Sequence, residues 1–139
     1  MRAPVAIRLE RFQQILNQIA NESSSGSVII VEGQKDLKSL RELGIVGPVL
    51  CLQSSRKNAN EFTQNMVGSK KVIVLTDFDR EGISLAKKLS RNLNAQNLNA
   101  NMVLWKNLRE LTRSDVRSIE ELPKYLERLQ QETCRKSFT

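Results

Sequence analysis

Val28-Ile29-Ile30-Val31-Glu32-Gly33 and Val72-Ile73-Val74-Leu75-Thr76-Asp77-Phe78-Asp79-Arg80-Glu81-Gly82 decide the fold of this chain. Each is an apolar, β-branched run that stops abruptly at carboxylates and a glycine. A buried strand does not normally end in clustered charges unless those charges have a partner. If the two runs are parallel neighbours, Glu32, Asp77 and Asp79 meet at their carboxyl ends, where open α/β sheets place ligands. Three close carboxylates repel one another, so one takes up a proton or a cation binds. An all-oxygen site suits Mg²⁺, which keeps several waters and shares its coordination with phosphate oxygens.

Working outward, Leu9, Phe12, Ile15, Leu16 and Ile19 recur at helical spacing and predict an amphipathic helix over 5–21, with Pro4 at its start. Asn21 to Gly26 is a turn-rich break before a first strand over 27–31. Leu37, Leu40 and Leu43 mark a short helix that stops at Gly44. Pro48 to Leu52 is a second strand, followed by the polar loop Gln53-Ser54-Ser55-Arg56-Lys57-Asn58 and a short helix over 59–66. Lys71 to Thr76 is a third strand and 80–94 a helix. Asn101-Met102-Val103-Leu104-Trp105 is expected to be a fourth strand, and the last helix lies near 118–131, with Ser118 and Glu121 as a capping box. Strand–helix alternation implies an α/β fold with about four mostly parallel strands flanked by helices.

Composition narrows the function. A chain of 139 residues fits one domain with a real core. No apolar stretch approaches the ~18 residues that span a bilayer, and no secretory signal is visible. Cys51 and Cys134 are far apart in character, one in an apolar run and one in a polar tail, so a cytoplasmic location is expected. There is no histidine, which excludes a histidine general base and the usual histidine-containing zinc sites. The net charge of +7 and pI near 9.8 suggest a polyanionic partner, although many small proteins are basic for solubility alone. An acidic site inside a basic protein points to metal plus phosphate. Aromatic content of 4% argues against an extended base-stacking platform.

The combination of Glu32-Gly33 with Asp77-Phe78-Asp79-Arg80-Glu81-Gly82 resembles the Toprim signature, shared by type IA and type II topoisomerases, bacterial-type primases, recombination-repair proteins and ribosomal RNA maturases. The Asp-x-Asp-Arg-Glu-Gly string is close to the type IA topoisomerase form. The resemblance covers roughly residues 27–130 and looks most like the small stand-alone Toprim proteins of archaea and some bacteria, which Ile119-Glu120-Glu121-Leu122-Pro123 also fits. It implies a Rossmann-like Toprim domain over 27–131, preceded by a helix and linker over 1–26 and followed by a polar tail over 132–139. It further implies that Glu32 acts as general acid/base or metal ligand, that Asp77 and Asp79 hold Mg²⁺ (or Mn²⁺), and that the partner is RNA or DNA. A topoisomerase needs a tyrosine from outside this fold. Tyr125 instead shares a helical stripe with Leu122, Leu126 and Leu129, so it is read as core. A primase needs template-binding and zinc modules that the chain lacks. Three readings remain: a Mg²⁺-dependent phosphodiesterase of the maturase kind, a non-catalytic nucleic-acid-binding or interaction module of a replication, repair or RNA-processing complex, and, behind these, a small-phosphate or nucleotide binder.

Each candidate residue carries a plainer alternative. Asp79 precedes a helix and can cap it; Asp36 is read as a cap or as a carboxylate supporting the site. Gly33 can supply a turn with positive φ. Gly82, in the first helical turn, can let a phosphate approach the helix N-terminus, and Arg80 can pair with that phosphate. Lys35, Ser54, Ser55, Arg56 and Lys57 are candidate phosphate contacts on neighbouring loops, or ordinary polar loop residues. Lys87, Lys88 and Arg91 read as a solvated helix face, Trp105 as core or strand-end packing, and Arg109, Arg113 and Arg117 as a basic rim.

Overall fold

A computed structural model describes residues 2–55 and 71–137; for 54, 55, 136 and 137 it describes the backbone alone. The elements run α1 (Val5–Ser24), β1 (Val28–Val31), α2 (Gln34–Glu42), β2 (Val49–Cys51) and α3 (Leu52–Ser55). They continue with β3 (Lys71–Val74), α4 (Arg80–Ala95), β4 (Asn99–Asn101) and α5 (Val103–Thr112). Two 3₁₀ turns, Arg113–Asp115 and Ile119–Glu121, lead into α6 (Leu122–Ser137). The strands form one sheet in the order β2-β1-β3-β4, with every pairing parallel.

The two apolar runs form its centre. Ile29, Ile30, Val31, Val72, Ile73 and Val74 are all buried, as strands covered on both faces require. Their register pairs Val28 with Val72 and Ile30 with Val74. Continued past the last pair, that register sets Glu32 level with Thr76, one residue before Asp77. The chain leaves β1 toward β2 on one side and β3 toward β4 on the other. Right-handed crossovers therefore place α2 and α4 on opposite faces. Helix α1 packs against α5 and α6, burying Phe12, Ile15, Leu16 and Ile19. Each such side chain contributes about 1.5–3 kcal/mol of burial. Gly44, with φ +85°, terminates the α2 segment in a conformation that favours glycine.

The expected strand over 101–105 is corrected. The strand is Asn99–Asn101, and Val103 already begins α5. The apolar trio Val103-Leu104-Trp105 belongs to a helical stripe in which Leu104, Trp105, Leu108 and Thr112 are buried while Val103 faces outward. A short apolar run does not by itself distinguish strand from helix. Helix α1 also runs on to Ser24, so the break is confined to Ser25 and Gly26, where φ is +103°. The polar loop after β2 begins as α3, while the helix expected over 59–66 lies outside the described residues. Near the C-terminus, Glu121 accepts hydrogen bonds from the Ser118 N–H at 2.8 Å and the Arg117 N–H at 3.0 Å, the reaching-back half of the expected capping box. Pro123 falls in the first turn of α6, where its missing N–H has no helical partner to lose.

Candidate metal and phosphate site

The carboxyl ends of β1 and β3 are joined by a side chain. Glu32 Oε2 accepts the backbone N–H of Asp77 at 2.8 Å. Asp77 Oδ1 in turn accepts the N–H of Ile119 at 3.0 Å, and the N–H of Phe78 donates to the Arg117 carbonyl at 2.8 Å. The Arg117–Ile119 segment is thus laced to the strand end that carries the aspartates. Asp79 stands at the N-cap of α4, where its Oδ1 accepts the Gly82 N–H at 2.7 Å. The cap reading of Asp79 therefore holds, and its other carboxylate oxygen is not used in that bond.

Glycine is required at Gly82 by close approach. A Cβ there would collide with the carbonyl of Asp77. The Gly82 carbonyl also accepts the Thr76 hydroxyl at 2.8 Å, so the first turn of α4 is drawn tightly onto the end of β3. Gly33 is not in a positive-φ turn; its φ is −146° and it is extended. Its missing side chain instead makes room for Gln53, whose Oε1 would lie 2.7 Å from an added Cβ. The Gly33 N–H donates to Asp36 Oδ2 at 3.1 Å, so Asp36 caps α2.

Burial and mutual repulsion govern the electrostatics. Burial is the main cause that raises the Glu32 carboxyl above the usual range, and the charges of Asp77, Asp79 and Asp36 raise it further. Asp77 is raised by burial, then by Asp79 and Glu120. Asp36, 6% exposed, is pushed up to about 6 by burial and by Asp77. These carboxylates share one negative field that the protein leaves under-compensated. Lys35, in the first turn of α2, and Arg80, the first residue of α4, are exposed, and neither has a carboxylate within 4.0 Å among the described residues. Ser54 and Ser55 end α3, beyond the Gln53 N–H that donates to the Glu32 carbonyl at 3.0 Å. Arg56 and Lys57 lie outside the described residues.

The donor set suits a hard cation. Among the described residues no three carboxylates or thiols are drawn close enough to enclose an ion. Mg²⁺ does not need such a cage; it is usually held by one or two carboxylates, waters and substrate phosphates. Glu32, Asp77 and Asp79 supply oxygen donors whose charge a cation would relieve, so the residues fit the group.

Sequence reasoning missed two contributors: Glu120 as part of the same field, and the Ile119 N–H that orients Asp77. Asp36, read from sequence as a cap or a supporting carboxylate, does both: it accepts the Gly33 N–H, and its charge raises the Glu32 carboxyl. The contact from Ile119 had no local signal. Tyr125 is 3% exposed, packs on Phe12 at 5.6 Å between ring centroids and donates its hydroxyl to Asp115 at 3.0 Å. It is a core residue bonded to Asp115 rather than to Glu32, Asp77 or Asp79. No helix among the described residues is long and apolar enough to cross a membrane.

Comparison with known proteins agrees with this architecture. The family profile described as Toprim domain matches residues 27–105. A UPF0292 protein of Methanosarcina barkeri is 34% identical over 127 residues, covering 91% of this chain and 87% of that protein. A UPF0292 protein of Thermococcus kodakarensis is 34% identical over 113 residues, covering 81% of this chain and 84% of its own. A protein of Aquifex aeolicus with a solved structure superposes with a TM-score of 0.63 at 27% identity, over 78% of this chain and 94% of that one. With its parallel sheet, its glutamate after β1 and its Asp-Phe-Asp after β3, the chain belongs to the Toprim domain family.

Proposed function

We propose that this protein binds Mg²⁺ through Glu32, Asp77 and Asp79 and engages the phosphodiester backbone of nucleic acid at the carboxyl edge of its sheet. The observation that carries this reading is the Glu32–Asp77 bond at 2.8 Å, which holds carboxylates from two strands in one field. Burial and like charge hold the Glu32 and Asp77 carboxyls above their ordinary range, a condition that favours a cation. When bound, Mg²⁺ would neutralise that field and polarise a phosphodiester.

The chain's own residues then have distinct tasks. Asp77 is oriented by the Ile119 N–H and Asp79 by its cap on α4. Glu32, with its raised carboxyl, is the group suited to hold or pass a proton at a reacting oxygen. Lys35 and Arg80 flank the carboxylates as exposed cations for phosphate oxygens. Ser54, Ser55, Arg56 and Lys57 would supply further phosphate contacts. The +7 net charge supports a polyanionic partner, and the free thiols of Cys51 and Cys134 support a cytoplasmic setting. Where turnover is absent, the same surface serves as a binding module within a larger complex.

The test is incubation of end-labelled structured RNA, single-stranded DNA and duplex DNA with Mg²⁺, with Mn²⁺ and with chelator, beside Glu32→Gln. Metal-dependent cleavage lost in the variant assigns a nuclease. Metal-enhanced retention without cleavage assigns the binding module. Indifference of both binding and cleavage to metal and to Asp77→Asn/Asp79→Asn removes the proposed site.

A further inference from the structure

A groove of about 1070 Å³ lies between α4 and α5, and its lining includes Phe78, which sits between the two site aspartates in the sequence. Its floor is apolar: Ile83 and Met102 are half-buried, and Phe78 and Trp105 are 8% and 4% exposed. Its rims are basic: Lys87 and Arg91 come from α4, Lys106 and Arg109 from α5, and Arg113 from the 3₁₀ turn that follows. Glu110 is the acidic residue on this lining, and it stands 3.7 Å from Arg113 with both side chains exposed. Lys87, Arg91 and Lys106 are exposed and have no carboxylate within 4.0 Å among the described residues. Cations on a solvated helix normally gain little from one another. Here two helices turn theirs toward a shared cleft, where like charge is unfavourable unless an anion enters.

We infer that this groove is the track of a single-stranded nucleic acid that leads to or from the carboxylate site, with phosphates on the rims and bases toward the floor. The inference rests on the proposed function and assigns its substrate class. Charge complementarity selects a polyanion. The apolar floor selects one with exposed base faces, because a duplex keeps its bases stacked on one another and presents phosphates only. Arg109 adds a layer for stacking: its guanidinium lies over the Trp105 ring, 5.8 Å from the ring centroid. Trp105 is held in place by its Nε1–H, which donates to the Thr76 carbonyl at 2.8 Å. The same residue is therefore tied to the strand end that carries Asp77. Arg113, also on the lining, has φ +35°, a left-handed backbone that an arginine adopts at a cost of about 1 kcal/mol or more. This is a short platform, in keeping with the low aromatic content.

The test uses the full chain and labelled oligo-dT, oligo-U and a duplex of matched length, with anisotropy read across a salt series. The single tryptophan reports on the groove directly, since Trp105 is the only one in the chain. Lys87→Ala/Arg91→Ala/Lys106→Ala changes exposed residues and is expected to fold normally by circular dichroism. It should lower the single-strand log–log salt slope by about 2, at ~0.7 per lost phosphate contact, and reduce affinity at least about tenfold. Lys38→Ala/Lys124→Ala, outside the groove, should do neither. Tryptophan emission should change on oligonucleotide binding. Wild-type binding with an unchanged slope in the triple variant, equal losses in the control variant, or tighter binding of duplex than single strand each overturn the groove while leaving the proposed function standing. Absence of any nucleic-acid binding by the wild type overturns both.

Discussion

The Glu32 carboxylate takes the Asp77 N–H at 2.8 Å, so a residue just past β1 fixes the backbone just past β3. The bond places a side chain expected to do chemistry in a structural position as well. Glu32→Gln separates the two roles, because an amide oxygen still accepts the N–H while the charge is gone. The variant should match or slightly exceed the wild type in apo stability, since it relieves repulsion from Asp77, Asp79 and Asp36. Its Mg²⁺ affinity should fall at least about tenfold. Isothermal titration with Mg²⁺ beside urea unfolding reads both; a variant that loses stability and keeps metal affinity would reverse the assignment.

Stability of the metal-free protein should fall as pH rises through the acid range. Asp36 has a folded value of about 6 against an ordinary 3.8. Between those values the folded protein holds a proton that the unfolded chain has released. The contribution is therefore present at low pH and is lost as pH rises toward about 6. Glu32 and Asp77, also raised, act in the same direction. The loss from Asp36 is on the order of 2 kcal/mol. General positive charge opposes this trend at low pH, so the informative quantity is the difference from Asp36→Asn. That variant keeps an oxygen acceptor for the Gly33 N–H and should show a flatter pH profile in chelator between pH 4.5 and 7. Added Mg²⁺ favours the ionised forms and should raise wild-type stability most at the upper end.

Gly82→Ala tests whether the site depends on the close seating of α4. A Cβ at this position meets the Asp77 carbonyl, a backbone atom that cannot rotate away. Relief requires the first turn of α4 to lift from β3, breaking the Thr76–Gly82 bond at 2.8 Å and displacing Asp79 from its cap. The expected loss is about 2 kcal/mol or more, with metal affinity falling in parallel. Thermal unfolding with and without Mg²⁺ measures this; a variant as stable as wild type would mean that the turn accommodates a side chain.

The central strands were legible because their apolar runs are continuous and end at charged, glycine-bearing turns. The edge strand Asn99–Asn101 was not, since Asn-Ala-Asn has no apolar pattern and its pairing is supplied by Lys71–Ile73. Val103-Leu104-Trp105 drew the strand reading onto a helix whose period becomes visible only with Leu108 and Thr112. At the site, Glu32, Asp77 and Asp79 announced themselves by interrupting apolar runs. Glu120 and the Ile119 N–H did not, because the tertiary fold brings them from the far end of the chain. The basic groove was half-visible. Its cations other than Lys106 could be named, but a reading that made 103–105 a strand had no second helix to face α4.

Tyr125 provides the sharpest check on the chemistry. Its hydroxyl donates to Asp115 Oδ2 at 3.0 Å and accepts from Arg8 at 3.2 Å, while its ring packs on Phe12. Asp115 is also bound by Arg2 at 2.6 Å, and that cation holds its carboxyl below the usual range. Tyr125→Phe keeps the ring and removes the hydroxyl, leaving Asp115 its arginine partners. Stability should fall by about 1 kcal/mol, the net worth of a typical hydrogen bond. Metal binding and nucleic-acid binding should be unchanged, as the residue is 3% exposed and bonded to Asp115 rather than to Glu32, Asp77 or Asp79. Denaturing gels after incubation with labelled DNA and Mg²⁺ should show no protein–DNA adduct for either protein. An adduct formed by wild type and absent from Tyr125→Phe would make this tyrosine a nucleophile and overturn its reading as core.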